Sequence, residues 1–499
     1  MSDIRILDGN MPETGATVTG TPRKSGLKHI LDLDKSEPLI ELAQTVRGRA
    51  FIFLVFTGGL LLSGIKSWQT SILIAVIATI YAYVPRLRSA IVAIATLNVI
   101  GLLFGYPLDG VKAVMVQERV SPLAATTIMR GALVAYTTMV WIALHITRRN
   151  KGLLIARRPV VALLLISAGL CGLTCLPVIH GIARVLLWSL LTVVTTNIWF
   201  LCYGLVDQRA RDPMAPLFRL GIFHPFSGTS SVPWGKGAAF LNKTLAKNPR
   251  DLAITQLKAI KLLFWAIVLL DIEKLIFFVS VAWLHIPELA KVEAAYFGHH
   301  VAPAWIGWAS LILDTVIAAL SLTVSGHQAI AVGRLAGFRL PRNTYRLLEA
   351  RSLAEYWNRY FYYFKELLVE FFFLPTFLRT FRNYPRLRVF FATFMAAGVG
   401  NAIYHFVRRI GFVASEGLVN ATVNFTSYIF YCVVLATAIA ISQVRSTAGV
   451  QLPTSRLGRF SAFAWIWTFV VCVHIFGDES RTYTLSERLQ FMANLMGVY

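Results

Sequence analysis

The stretch Val423-Asn-Phe-Thr-Ser-Tyr-Ile-Phe-Tyr-Cys-Val-Val-Leu-Ala-Thr-Ala-Ile-Ala-Ile441 runs for nineteen residues without a formal charge. As an α-helix rising 1.5 Å per residue it would be roughly 28 Å long, close to the ~30 Å hydrocarbon thickness of a bilayer. Similar apolar blocks occupy Phe51–Ile65, Ile72–Val84, Ala90–Phe104, Gly131–Ile146, Val160–Val178, Val185–Leu205, Ile260–Ile286, Trp305–Val324, Val389–Phe406 and Phe460–Phe476. One helix per block predicts an all-α polytopic membrane protein of about eleven transmembrane helices. The rest of the chain agrees. Of its 499 residues, 56% are hydrophobic and 15% charged, where soluble proteins average roughly 45–50% and a quarter. That composition excludes a soluble enzyme, a secreted disulfide scaffold and a disordered chain.

The formal charge of +23 comes from 48 Lys and Arg against 25 Asp and Glu. In a membrane protein such an excess fixes topology and meets anionic head groups, so the bilayer and not nucleic acid is the expected partner. Arg47, Arg49, Arg86, Arg88 and the run Arg148 to Arg158 become cytoplasmic if the N-terminus is inside. Arg408 and Arg409 then fall on the wrong side. The predicted organisation is a polar cytosolic tail over 1–49 and a six-helix membrane region over 50–206. A basic cytoplasmic loop over 207–258 and two transmembrane helices over 259–324 follow. Cytoplasmic amphipathic or re-entrant helices over 325–385 precede a C-terminal membrane region over 386–499. The tail has no signal-peptide pattern, and the absence of a sorting signal makes a bacterial inner membrane the expected location.

Many chemistries lack their motifs. There are no histidine boxes, P-loop, Gly-x-Ser-x-Gly elbow or His-Glu-x-x-His. The five cysteines all lie within apolar blocks and none has zinc spacing, so no metal is expected. His29 to Asp34 matches a His-x-x-x-x-Asp pattern by chance in the polar tail. His405, ending an apolar block that holds Gly398 and Gly400, is the foremost candidate, because intramembrane ionisable groups are costly and a neutral imidazole accepts a proton at physiological pH. Asp271 and Lys274 have the spacing of a pair on one helix face and mark a polar junction in the seventh block, with Asp314 as a further partner. His474, like His145, His180 and His285, reads as a span-end residue. Trp357, Phe361, Phe364, Leu368 and Phe371 share a helical face and predict one amphipathic aromatic helix.

The order Ser352-Leu-Ala-Glu-Tyr-Trp-Asn-Arg359, then this aromatic segment, then Gly400-Asn-Ala-Ile-Tyr-His405, resembles the membrane-bound O-acyltransferases. The resemblance covers roughly residues 351–411. It implies transfer of an acyl group from acyl-CoA or an acyl carrier protein to a hydroxyl acceptor, with the thioester as co-substrate and no tightly bound cofactor. His405 matches the family's catalytic histidine. The family's second polar residue, four or five positions after the motif tryptophan, is replaced by Phe361 and Tyr362, leaving His405 to act alone or Asn358 or Asn401 to orient a reactant or donate to the developing oxyanion. Arg351, Arg359 and Lys365, beside Trp357, are the expected donor-binding residues. The competing readings are a transporter or flippase for an anionic or lipid-linked solute and a non-catalytic membrane subunit.

Overall fold

Asn248 caps a helix of 30 residues, Pro249–Phe278: its side chain accepts the Asp251 N–H at 2.8 Å, and Pro249 supplies a preset first turn. The computed structural model describes residues 32–64, 67–91, 109–207, 237–478 and 482–498. Among them every regular element is helical, apart from one bridge between Leu245 and Phe338. The helices used below are α1 (Glu37–Gln44), α2 (Val46–Ser63), α3 (Trp68–Tyr83), α4 (Asp109–Gln117), α5 (Pro122–Arg149), α6 (Pro159–Thr174), α7 (Gly181–Thr196) and α8 (Ile198–Asp207). They continue as α9 (Pro249–Phe278), α10 (Leu289–Phe297), α11 (Ala304–Leu335), α12 (Leu353–Tyr360), α13 (Tyr362–Leu368) and α14 (Pro385–Phe394). The last are α15 (Asn401–Arg408), α16 (Gly411–Glu416), α17 (Thr426–Thr447), α18 (Arg456–His474) and α19 (Leu485–Leu495).

Six helices among the described residues are long and apolar enough to cross a membrane, or eight if two bent pairs each count once. Their outer faces leave Phe51, Leu54, Leu62, Phe460 and Trp465 exposed. So much exposed apolar surface suits lipid and not water. Their inner faces hide hydroxyls instead. Along α7, Ser189, Thr192 and Thr195 each donate to the carbonyl four residues back, at 2.7–2.8 Å. Asn197 repeats the bond to Val193 at 2.9 Å, and the chain bends 59° there into α8. Back-bonding of this kind satisfies the side chain and loosens the helix. The second bend, 112° after α3, falls at Pro85, where Arg88 closes the helix end by donating to the Tyr81 and Ala82 carbonyls at 3.0 Å.

The apolar blocks differ from these helices in particular ways. The third block lies mostly outside the described residues, as does His29. The fifth, α6, is only 16 residues long. The seventh is not a junction: α9 passes through Asp271 and Lys274 unbroken, both side chains are exposed, and the expected pair between them does not form. Glu273 instead accepts from Ser321 of α11 at 3.0 Å. The eighth continues past Val324 to Leu335, where the buried Arg334 guanidinium donates twice to the Leu340 carbonyl. Asp34 is engaged structurally, with Asp32, by Lys261 of α9. Close approaches need glycine at one crossing above all: a Cβ on Gly110 of α4 would meet the Gly411 carbonyl of α16 at 2.0 Å.

At the end of the bundle bearing α10 and α19, Arg488 is buried between Glu293 at 3.2 Å and Asp478 at 2.6 Å, and also reaches the Ile475 carbonyl. Burial pushes the Glu293 carboxyl up to about 7, with Arg488 opposing. The native state therefore keeps a proton that the unfolded chain releases near 4.5, and this contribution to stability is lost as pH rises from about 4.5 through 7. Above that range two carboxylates depend on one guanidinium. Arg488→Met should then cost ~3–5 kcal/mol at pH 8 and clearly less at pH 5. Thermal unfolding in detergent at the two pH values checks this; an unchanged melting temperature at pH 8 would contradict it.

Candidate functional site

The aromatic segment expected as one amphipathic helix is two. Phe361, with φ −143° and ψ 85°, leaves helical geometry and separates α12 from α13. The groups freed by the break are taken by the segment that precedes α12. Tyr345 N–H donates to the Arg359 carbonyl at 3.0 Å, the Thr344 hydroxyl to the Tyr360 carbonyl at 2.8 Å, and Tyr362 N–H to the Asn343 carbonyl at 2.8 Å. Beyond the break α13 is buried on every side, so it lies within the protein and not along its surface.

α12 begins at Ser352, whose hydroxyl accepts the Glu355 N–H at 3.1 Å. That cap places the charged and aromatic residues of the motif on different faces. Glu355 pairs with Arg359, one turn away, and accepts from the Arg351 N–H at 2.9 Å. Arg351 and Arg359, with Glu349 and Arg459 of α18, line a cleft of about 330 Å³. Three arginines against the carboxylates of Glu349 and Glu355 leave net positive charge there, a setting for phosphate groups. Arg459 was legible only as one of several basic residues preceding a span. Lys365 does not line this cleft; it is buried on α13, 2.9 Å from Glu366 and 4.9 Å from the centre of the Tyr362 ring.

On the other face of α12, Tyr356, Trp357 and Tyr360 line a smaller cavity of about 50 Å³ together with Tyr431 of α17 and His474 of α18. His474 is not simply a span-end residue, since its Nε2 lies 2.8 Å from Asp314 Oδ2 on α11. Asp314 thus pairs with a histidine and not with the Asp271 cluster.

His405 stands behind this cavity. Its ring centre is 5.8 Å from Phe364 and 4.7 Å from Tyr428, and those rings lie 6.3 Å from Trp357 and 5.4 Å from Tyr431 respectively. The motif tryptophan and His405 are therefore joined through Phe364. Neither described cavity has His405 in its lining. Asn401 lies one helical turn before His405, is buried, and its Oδ1 has no hydrogen-bond partner. An orphaned buried carbonyl oxygen is costly and marks a place where an incoming donor would be welcome. Asn358 is half-buried on α12 and lines neither cavity.

Two π-helical turns hold this arrangement. Pro375 has no N–H for the Phe371 carbonyl, and the helix widens to π over Val369–Phe373 directly before it. The second π-turn, Met395–Gly400, packs against the first and leads into Asn401. A Cβ on Gly400 would sit 2.7 Å from the Phe372 ring, whereas one on Gly58 of α2 would meet nothing within 4 Å. Gly400→Ala should accordingly destabilise by about 1–3 kcal/mol through overpacking, while Gly58→Ala should be neutral or slightly stabilising. Melting temperatures of the two purified variants decide it; equal values would mean that the π-turn contact yields freely.

The chain matches no protein-family model, and no curated protein is detectably similar to it in sequence.

Proposed function

We propose that this protein is a membrane-embedded O-acyltransferase that moves an acyl group from a thioester donor, acyl-CoA or acyl carrier protein, to a hydroxyl. The observation that carries the reading is the packing of Trp357 and His405 about Phe364. These two residues carry the resemblance to the membrane-bound O-acyltransferases from distant parts of the chain, and the orphaned Asn401 oxygen lies one turn from the histidine. In the proposed reaction His405 takes the proton of the acceptor hydroxyl as its oxygen attacks the thioester carbonyl. Asn401 Oδ1 accepts a hydrogen bond from a reactant and orients it. The carbon–sulfur bond then breaks, and the departing thiolate takes the proton from the imidazolium.

The topology that goes with this reading has eleven spans and a cytoplasmic N-terminus, in a bacterial inner membrane. Six helices among the described residues are long and apolar enough to cross, or eight with the bent pairs, and the proposed count goes beyond these. The arginine cleft then opens to the cytoplasm, where soluble donors are. A transporter reading draws no support from Asp271 and Lys274, which are exposed and apart from Asp314.

Both His405→Ala and His405→Gln should accumulate normally and lose about 10²–10⁴-fold in acyl-transfer turnover, the usual contribution of a general base. The assay follows radiolabelled acetyl-CoA with the purified protein in nanodiscs. Near-normal turnover by folded His405→Gln would sink the mechanism, and a wild-type protein inert towards every thioester would favour the non-catalytic subunit.

The cleft makes a separate claim. Arg351→Gln combined with Arg459→Gln should raise the donor KM several-fold and leave the acceptor KM unchanged, because a lost phosphate contact weakens ground and transition states alike. Lys365→Gln, outside the cleft, should leave the donor KM as it is. Should the lysine variant alone raise it, the donor site must be placed elsewhere.

A further inference from the structure

The cavity between α11, α12, α17 and α18 has a largely apolar lining with a few polar groups. Trp357, Tyr360 and Tyr431 offer aromatic faces beside aliphatic side chains, Thr315 a hydroxyl that donates to the Leu311 carbonyl at 2.8 Å, and His474 an imidazole, with no lysine or arginine among the lining residues. The imidazole is held from outside: Asp314 Oδ2 lies 2.8 Å from Nε2. With Nε2 engaged by Asp314, Nδ1 is the ring nitrogen left for a ligand. This is the set of groups that recognises neutral hydroxylated molecules. Aromatic faces cover carbon-bound hydrogens, and a fixed acceptor meets the hydroxyl.

We infer that this cavity is a hydroxyl-recognition subsite for the acceptor, with His474 Nδ1 accepting a hydrogen bond from an acceptor hydroxyl and Asp314 fixing the ring. The inference rests on the acyltransferase reading for the word acceptor, and it goes further by naming the acceptor class, a neutral polyol or sugar. Two observations lead there. A volume of about 50 Å³ holds only a few water-sized centres, each needing roughly 10–15 Å³, so a hydroxymethyl-sized edge enters and a whole ring does not. His405 lies behind Phe364 and Tyr428, outside the lining, so the hydroxyl held at His474 differs from the one that His405 deprotonates. An acceptor that uses both histidines carries at least two hydroxyls. The position suits an acceptor as well. Arg459 at the donor cleft and His474 belong to the same helix, roughly 22 Å apart along its axis at 1.5 Å per residue, so the donor's charged head and this subsite stand at opposite ends of α18.

A binding measurement tests this apart from catalysis. Full-length protein in nanodiscs is treated with diethyl pyrocarbonate, and modification at His474 is followed by mass spectrometry, with methyl β-glucoside or octanol present. Methyl β-glucoside should slow modification of His474 several-fold and octanol should not, and Thr315→Val or Trp357→Ala should abolish the protection. Equal rates with and without the glucoside at saturating concentration, or equal protection by octanol, would overturn the subsite. The kinetic counterpart is His474→Gln, which should raise the KM for methyl β-glucoside at least tenfold with kcat within twofold. A histidine that merely pins α18 to α11 through Asp314 would move neither KM nor the protection. A wild-type protein that protects His474 but transfers no acyl group would refute the acyltransferase reading and leave the subsite standing; one that transfers without protection would do the reverse.

Discussion

The candidate site depends on a few hydrogen bonds made to a broken helix. Between Tyr360 and Tyr362 the chain leaves helical geometry inside the protein, where an unpaired peptide group would cost about 1–3 kcal/mol. Asn343, Thr344 and Tyr345 supply the partners. Their own position is set upstream, where the buried Arg334 guanidinium fixes Leu340 and where Gly337, with φ of 97°, turns the chain out of α11. Hydrogen bonds thus hold the connecting segment at both its ends, at Leu340 and at Asn343 to Tyr345. The effect is to let α12 and α13 point differently, so that Trp357 and Phe364 meet as neighbouring rings, and Phe364 also faces His405.

The same economy governs the helix that carries His405. The π-turns at Val369–Phe373 and Met395–Gly400 lie against each other, and each shifts the residues after it around the helix axis. Pro375 accounts for the first. The second has no proline; it has Gly398, whose would-be Cβ lies 3.0 Å from Ala436 of α17, and Gly400 against Phe372. Small residues let three helices approach until only a widened turn fits between them. Asn401 and His405 emerge from this wedge four residues apart, hence on one face.

What could be read in the sequence follows from the range of the interactions involved. Apolar blocks are local, and those at Val423–Ile441 and Phe460–Phe476 became the helices Thr426–Thr447 and Arg456–His474, shifted by two to six residues at their ends. The bends at Pro85 and Asn197 are local as well, but the hydroxyl back-bonds behind the second depend on burial that hydropathy does not report. The extension of α11 to Leu335 was hidden because His327, Gln328 and Arg334 look like the start of a loop; they are helical because the fold buries them. The break at Phe361 was concealed by a helical spacing of aromatics that continues across it. The place of Arg459 in the cleft and the pairing of His474 with Asp314 had no local signal, since each is completed by a residue far along the chain.

One eight-residue helix separates the two cavities, and its register does the sorting. With 3.6 residues per turn, Glu355 and Arg359 share one face of α12, while Tyr356 and Tyr360 share the next. The first pair braces the arginine cleft; the second, with Trp357, walls the cavity that His474 enters. The register is set by Ser352, whose side chain caps the helix, and by Ala354, whose N–H donates to Ser442 of α17 at 3.1 Å. A start displaced by one residue would rotate the helix by about 100° and turn either a tyrosine towards the cleft or, in the other direction, a carboxylate towards the cavity. The motif is therefore legible as geometry before it is legible as chemistry: the serine sets the angle, the charged pair takes one side, and the aromatic residues take the other.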